Sequence, residues 1–202
     1  AWPGVVEAAN LIGSTQIQSR CTMTGNLCNA SPAADSVPAL VAADARVRVI
    51  GPNGTRTISA QNIPVGPGKT SLEKGEIIDA ILLARPQPRS GDAYLRFIPR
   101  TEMDIAVVGV AVNLTLGADG SVQTARVALG AVAPRVILSD EAARTLIGTK
   151  LEAAALGALE AACSAASIPI DDKRGTVAFR KQVAGVLARR AARIAYERAG
   201  GK

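Results

Sequence analysis

The chain has no histidine among its 202 residues and only three cysteines, Cys21, Cys28 and Cys163. Histidine is the commonest general base and metal ligand, so its absence removes the usual side chain for both tasks. The odd, sparse set of cysteines argues against a disulfide scaffold and favours a reducing compartment, so we expect a cytoplasmic protein. Cys21 and Cys28 also lack the C-x2-C spacing of zinc and iron–sulfur sites. We predict no metal site and no catalytic side chain.

Aromatic residues make up only 2% of the chain, whereas hydrophobic residues reach 48%. The core must therefore be built from Ala, Val, Leu and Ile, which suits thin, Ala-rich layers or a layer completed by a partner subunit. No uninterrupted apolar run reaches about 18 residues, so we expect no membrane span. No signal peptide is visible, and the abrupt start at Ala1, without Met, suggests that an upstream segment is missing.

Positive charge is in excess, with a formal net charge of +6. A basic balance is one mark of nucleic-acid binding, but the aromatic side chains that stack on bases are scarce, so we expect no nucleic-acid partner. The basic residues are scattered except for a group near the C-terminus, which we interpret as a solvated or subunit-facing side of a helix. That group comprises Arg180, Lys181, Arg189, Arg190, Arg193 and Arg198.

Residues 1–88 have the pattern of a loop-rich α/β segment. Apolar spacing predicts a helix over residues 5–19 that Gly13 ends or interrupts. A short helix is predicted over residues 36–43, with Ser36 or Asp35 as its N-cap. The turn Gly51-Pro52-Asn53-Gly54 indicates a hairpin. The predicted strands of this half cover residues 46–50, 55–59 and 76–84.

From residue 89 onward strands come first and helices follow, which predicts an α+β unit with a small antiparallel sheet packed against helices. The apolar run over residues 105–116 is ambiguous by periodicity, which leaves open a helical start and a strand end. The other predicted strands cover residues 93–98 and 122–131, and the predicted helices cover 139–147, 151–166 and 173–198. The fold class is therefore mixed α+β.

The stretch from Val65 to Thr70, with the sequence Val-Gly-Pro-Gly-Lys-Thr, has a superficial likeness to a phosphate loop. The P-loop pattern needs a glycine five positions before Gly68, where this chain has Ile63, and a helix after the loop. No helical pattern follows Thr70. We therefore exclude nucleotide hydrolysis at this stretch.

The segment from Thr22 to Asp35 packs small, polar and turn-forming residues together and ends in a carboxylate. Glycine lets a backbone approach a ligand closely, and successive amides form a concave site for anions. We expect this segment to meet a phosphate-bearing ligand.

Four groups of residues along the chain have the order and spacing of a known protein family. They are Gln16-Ile17-Gln18-Ser19-Arg20 leading into Thr22–Asn26; Ala30-Ser31-Pro32-Ala33-Ala34-Asp35; Tyr94-Leu95-Arg96-Phe97 with Arg100-Thr101-Glu102-Met103-Asp104-Ile105-Ala106; and Ile170-Asp171-Asp172, Arg174-Gly175, Phe179-Arg180 and Leu187-Ala188-Arg189-Arg190. Together they resemble the FAD-binding (medium) subunit of the molybdenum hydroxylases, which include xanthine dehydrogenase and aerobic carbon monoxide dehydrogenase. The resemblance runs from near residue 5 to residue 198.

The resemblance implies the second half of a PCMH-type FAD-binding domain over residues 1–88 and a C-terminal α+β domain over residues 89–202. It implies a flavoprotein that passes electrons from [2Fe–2S] clusters on a partner, through FAD, to a terminal acceptor. The implied partners are a large molybdopterin-binding subunit, which carries the molybdenum cofactor, and a small [2Fe–2S] subunit, in a dimer of heterotrimers. The implied FAD-binding residues are Thr22, Met23, Thr24, Gly25, Asn26, Asp35, Ile78 and Arg96.

Two departures from the family pattern leave a second function open. Thr24 replaces the first of the two glycines usual in the family's turn, and a β-branched residue narrows the freedom of the backbone. The family's earlier glycine-rich loop is not found in this sequence, so we expect weak or no FAD binding by this chain alone. The alternative function is a flavin-free structural or assembly subunit of the same kind of complex.

Overall fold

The computed structural model describes residues 1–100 and 104–201, which form three antiparallel sheets and seven α-helices. Thr101, Glu102 and Met103 of the third sequence group, and Lys202, lie outside the described residues. Residues 1–88 contain α1 (Pro3–Asn10), α2 (Thr15–Gln18), α3 (Met23–Cys28), α4 (Ser36–Ala42), β1 (Arg46–Gly51), β2 (Gly54–Ser59), β3 (Pro64–Gly66), β4 (Lys69–Thr70) and β5 (Ile77–Leu82). The rest contains β6 (Ser90–Phe97), β7 (Val108–Leu116), β8 (Val122–Gly130), β9 (Ile137–Leu138), α5 (Asp140–Arg144), α6 (Ala153–Ala166) and α7 (Val177–Arg198).

Gly13 interrupts the helix predicted over residues 5–19, which confirms that prediction. Its φ of +66° lies in the left-handed region that glycine adopts most readily, and it separates α1 from α2. The predicted hairpin is formed by β1 and β2. Strand β5 pairs with the other edge of β1, which gives the sheet order β2-β1-β5.

The structure contains two elements in the first half that the sequence pattern does not predict. One is α3, whose Thr, Gly and Asn residues have modest helix propensity. It begins where the hydroxyl of Thr22 accepts the backbone N–H of Gly25 at 2.9 Å, which caps its first turn. The other is the β3–β4 hairpin, formed by the stretch that resembles a phosphate loop. Gly68 takes a φ of +66° at its turn.

The second half is an antiparallel meander of β6, β7, β8 and β9 with both faces covered. Helix α7 packs on one face with α6 beside it, and α1 and α4 cover the other face. Because both faces are buried, the run over residues 105–116 shows no alternation of apolar and polar residues. This run is a strand from Val108 onward, and no helix is present over residues 104–106. The helical start that periodicity left open is therefore wrong.

Alanines allow α7 to lie close to the sheet. A close approach occurs at Gly91 of β6, where a Cβ atom would stand 2.1 Å from the carbonyl oxygen of Ala195. Aliphatic side chains of β7 and β8 complete this core, as the scarcity of aromatic residues predicts. The α7 residues that are fully buried are Ala184, Ala188, Ala191, Ala192 and Ala195.

Helix α7 begins at Val177 rather than at residue 173, because the Thr176 side chain caps it there. Arg180, which the sequence analysis placed on a solvated or subunit-facing helix side, is instead buried within the chain and only 3% exposed. Its guanidinium donates to the carbonyl oxygen of Val107 at 2.8 Å and to Oδ1 of Asp172 at 2.7 Å, as a buried charge requires. No helix of the described residues is both long and apolar enough to cross a membrane.

We expect Gly91→Ala and Gly157→Ala to change stability in opposite directions. A Cβ at position 91 would collide with backbone atoms of α7, so G91A should lower the free energy of unfolding by about 2 kcal/mol or more. Gly157 lies in α6 with nothing within 4 Å of a Cβ, so G157A should raise it by about 0.5–1 kcal/mol. Urea unfolding measured by circular dichroism compares the two. Equal effects would contradict the close packing of α7 on β6.

Candidate functional site

The Thr22–Asn26 turn runs from Thr22 into the first turn of α3 and presents backbone donors at the surface. The first amides of a helix have no partner within it. The Thr22 hydroxyl takes up the N–H of Gly25, and within the described residues no acceptor meets the amides of Met23 and Thr24. Gly25 is exposed and has no Cβ to shield these amides. The turn therefore offers free amides beside a glycine, a donor set that fits a pyrophosphate or another anion.

Asn26 connects the Thr22–Asn26 turn to α4. Its Oδ1 accepts the backbone N–H of Ser36 at 3.2 Å and the Ser36 hydroxyl at 2.7 Å. Ser36 is fully buried, so water cannot replace Asn26 as its partner. The side chain that the resemblance assigns to FAD binding therefore fixes the start of α4 against α3.

Asp35 is the N-cap residue of α4, as predicted with Ser36 as the alternative, but its side chain is turned to other partners. The side chain makes no hydrogen bond to the amides of that helix. Instead its Oδ1 accepts the Tyr94 hydroxyl at 3.2 Å and its Oδ2 accepts Nη1 of Arg96 at 2.9 Å. The side chains of Arg96 and Asp35 are only 9% and 11% exposed, so they form a buried ion pair.

Arg96 also holds the end of α1. The same Nη1 donates to the carbonyl oxygen of Leu11, the C-cap residue of α1, at 3.0 Å. A guanidinium at this place satisfies a free carbonyl and complements the negative end of the helix dipole. The chain leaves α1 at Leu11, passes through the Thr22–Asn26 turn and reaches Asp35. One side chain therefore holds both ends of the segment that contains the turn.

Three alternate residues of β6, namely Asp92, Tyr94 and Arg96, form what we call the β6 seam. Alternate residues of a strand share a face, and this face meets α1 and α4. Oδ2 of Asp92 accepts the N–H of Val5 at 3.1 Å, near the start of α1. The seam thus places the carboxylate of Asp92 at the N-terminus of α1 and the guanidinium of Arg96 at its C-terminus. The helix dipole favours a negative charge at the first position and a positive charge at the second.

Burial dominates the electrostatics of the β6 seam. It raises the pKa of Asp35 above its ordinary value, although the charge of Arg96 and the Tyr94 hydroxyl lower that pKa and offset part of the effect. Burial also raises the pKa of Tyr94 well above its ordinary value, and the neighbouring charge of Asp35 adds to this. The phenol therefore stays protonated and acts as a donor. Burial likewise raises the pKa of Asp92, although hydrogen bonds from backbone donors of α1 lower that pKa and offset part of the effect.

Ile78 supports α3 from the core rather than facing open space. It lies on β5 opposite Val49 of β1 and is 9% exposed. It belongs to the same core as Leu27 of α3, and α3 contacts β5. Among the residues implied by the resemblance, the structure therefore joins Asp35 to Arg96 and links Asn26 to the neighbour of Asp35. It leaves the amides of Met23 and Thr24 without an acceptor among the described residues.

A cleft of about 430 Å³ opens beside the turn over residues 31–33, which follows α3. This volume lies within the range of about 300–1,000 Å³ that is usual for small-molecule sites. Two arginines line it, and each is paired with an aspartate: Arg174 with Asp104 at 3.4 Å and Arg180 with Asp172 at 2.7 Å. Its exposed apolar side chains are those of Ile105, Ile168 and Ile170.

The sequence analysis did not identify Tyr94 and Arg180 as residues that shape these features. Both belong to the groups that carry the family resemblance, but nothing in the pattern indicates that they are buried. One signal for Tyr94 is its spacing. It stands two positions from Arg96 in a predicted strand, so the two side chains share a face.

Comparison with known families matches nearly the whole chain. Residues 1–86 match the family described as FAD binding domain in molybdopterin dehydrogenase, and residues 93–195 match the CO dehydrogenase flavoprotein C-terminal domain. The carbon monoxide dehydrogenase medium chain of Afipia carboxidovorans is 34% identical over 98% of this chain and 68% of its own length. The putative xanthine dehydrogenase FAD-binding subunit XdhB of Escherichia coli K12 is 31% identical over 99% of this chain and 68% of its own length.

Solved structures share the fold. The reconstituted CO dehydrogenase from Oligotropha carboxidovorans matches with a TM-score of 0.88 and 33% identity, over 93% of this chain and 65% of that one. The carbon monoxide dehydrogenase from Hydrogenophaga pseudoflava matches with a TM-score of 0.91 and 31% identity, over 97% of this chain and 68% of that one. The chain thus spans about two thirds of the length of these relatives. The fold class expected from the sequence, mixed α+β, is confirmed.

We expect the two single variants of the Asp35–Arg96 pair together to lower the free energy of unfolding by more than the double variant does. Asp35→Ala or Arg96→Met alone leaves a buried partner uncompensated, which costs about 3–5 kcal/mol. The double variant should cost clearly less than the sum of the two single variants. Urea unfolding of the four proteins gives the coupling free energy. Purely additive effects would show that the two groups do not interact in the folded protein.

Proposed function

Because this chain belongs to the family of FAD-binding subunits of the molybdenum hydroxylases, we propose that it is the electron-transfer flavoprotein component of such an oxidoreductase. The observation that carries the proposal is the match of both family domains over nearly the whole chain, together with the free amides of the Thr22–Asn26 turn inside the matched region. When bound, FAD supplies the redox chemistry by exchanging electrons between iron–sulfur clusters and a terminal acceptor. The chain itself supplies position and electrostatics.

The Thr22–Asn26 turn fits the charged part of the proposed cofactor. FAD carries a pyrophosphate, and the amides of Met23 and Thr24 beside Gly25 are donors without a protein acceptor among the described residues. Thr22 and Asn26 keep these amides in place, because one caps α3 and the other holds α4. We therefore assign the pyrophosphate to this turn.

Asp35, Ile78 and Arg96 complete the proposed FAD site around the turn. Asp35 and Arg96 lie on the chain that leaves the turn and on β6, and Ile78 supports α3 from the core. We further propose a boundary between an FAD-binding domain over residues 1–88 and a C-terminal domain over residues 89–202. The two family matches, which end at 86 and begin at 93, support this division.

The proposed partners are a large molybdopterin-binding subunit with the molybdenum cofactor and a small [2Fe–2S] subunit, in a dimer of heterotrimers. Two relatives support this by name, because each is a medium chain of a carbon monoxide dehydrogenase. Exposed apolar side chains offer surface for such contacts, notably Ile168 and Ile170, which are 65% and 69% exposed. We propose a cytoplasmic location, which the three free cysteines support.

We expect Gly25→Asp to weaken FAD binding more than Gly25→Asn does, although a Cβ in either variant stands 3.1 Å from the capping oxygen of Thr22. A carboxylate beside the pyrophosphate should raise the Kd at least about tenfold, since like charges a few ångströms apart repel even when partly solvated. The same carboxylate in the first turn of a helix is favourable for the helix itself. Gly25→Asn is the matched control, because it adds a similar volume without the charge. FAD titration by fluorescence, with the full-length subunit in its complex, gives both Kd values.

Two outcomes would contradict the proposal. Equal Kd values for Gly25→Asp and Gly25→Asn would show that no anionic group lies at the turn. A colourless complex that still contains this subunit would favour the alternative, a flavin-free structural or assembly subunit.

A further inference from the structure

The Thr22–Asn26 turn is fixed from both sides by residues of β6, which belongs to the other half of the chain. On the entry side, Arg96 binds the carbonyl oxygen of Leu11 at 3.0 Å. On the exit side, Arg96 and Tyr94 bind the two carboxylate oxygens of Asp35 at 2.9 and 3.2 Å. The turn itself makes none of these bonds, so they act on it through the chain on either side and through Asn26, which bonds Ser36.

A short chain of contacts links the β6 seam to the turn. Asp35 is followed by Ser36, whose N–H and hydroxyl both go to Oδ1 of Asn26. Asn26 is the last residue of the turn. A shift of Asp35 would therefore move Ser36. A shift of Ser36 would either break its two hydrogen bonds to Asn26 or move Asn26 with it. Tyr94 and Ser36 are both buried, so solvent cannot relieve such a strain by taking over as partner.

The packing around Tyr94 leaves it little freedom. Tyr94 is 3% exposed, and its hydroxyl would stand 2.7 Å from a Cβ on Gly109 of the neighbouring strand. Gly109 therefore makes room for the phenol, and the side chain belongs to the core that residues of α1, α4 and β1 form with this face of the second sheet. A rigid donor in this place is suited to hold a carboxylate in one position.

We propose that Tyr94 and Arg96 are positioning residues for the FAD site. They hold Asp35 and Leu11, and thereby preorganise the amides of the Thr22–Asn26 turn for the pyrophosphate without needing to touch it themselves. This inference rests on the proposed function. A site held in its bound shape before the ligand arrives loses less free energy to ordering, so it binds more tightly. The affinity for FAD therefore depends on residues of the C-terminal half.

The test compares two tyrosines that each lose one hydroxyl. Tyr94→Phe removes the donor to Asp35. Tyr196→Phe is the matched control, because Tyr196 is also buried, at 7% exposure, and donates to the carbonyl oxygen of Gly120 at 2.9 Å on another side of the sheet. The full-length subunit in its complex is titrated with FAD well below its unfolding temperature. Visible circular dichroism of the bound flavin reports its surroundings.

We expect Tyr94→Phe to raise the Kd for FAD about tenfold, since a hydrogen bond to a charged group is among the stronger ones. It should also change the visible circular dichroism spectrum. Tyr196→Phe should leave the Kd for FAD and the visible spectrum unchanged, even if it lowers the melting temperature as much as Tyr94→Phe does. If Tyr94 had only a structural role, both variants would lower the melting temperature, and their Kd values for FAD would be equal.

Equal Kd values for the two tyrosine variants would overturn the inference. Arg96→Lys is the second variant, in case Tyr94→Phe fails to fold. It keeps the charge but is shorter than arginine, so it should raise the Kd while the complex stays assembled, and an unchanged Kd would overturn the inference as well. If the wild-type complex binds no FAD, it is the proposed function that fails.

Discussion

The buried ion pair between Asp35 and Arg96 is the interaction on which the arrangement of the two halves depends. Two opposite charges, 2.9 Å apart and nearly without solvent, satisfy each other only while β6 and the start of α4 stay in register. Tyr94 donates to the free oxygen of the same carboxylate, and Leu11 takes a second bond from the same guanidinium nitrogen. A buried charge without its partner is costly, so this geometry favours one relative placement of the halves.

The doubly covered sheet explains why such an interaction can exist. Helix α7 packs on one face through alanines, and α1 and α4 pack on the other. Small residues on the second face, such as Gly109 and Ala111, leave room for the side chains of the β6 seam. The scarcity of aromatic residues and the richness in alanine therefore serve the same end, because small side chains let α1 and α4 pack closely on the sheet.

The fold class could be predicted from the sequence, but the contacts of the β6 seam could not. Periodicity and turn residues indicated the β1–β2 hairpin, the break at Gly13 and the order of strands before helices. The pattern failed at α3, whose residues have modest helix propensity and which depends on its cap at Thr22. It also failed at Asp35 and Arg180, because the sequence shows a charged residue but not the partner that lets it be buried. The family resemblance named Asp35 and Arg96, but only coordinates show that they bind each other.

Amide hydrogen exchange of the full-length subunit in its complex, with and without added FAD, tests the central claim most directly. The account predicts that FAD slows exchange at Met23 and Thr24, whose amides have no protein acceptor among the described residues. It also predicts slower exchange over the start of α4, because Ser36 is linked to the turn through Asn26. Unchanged exchange at Met23 and Thr24 when flavin is bound would contradict the account.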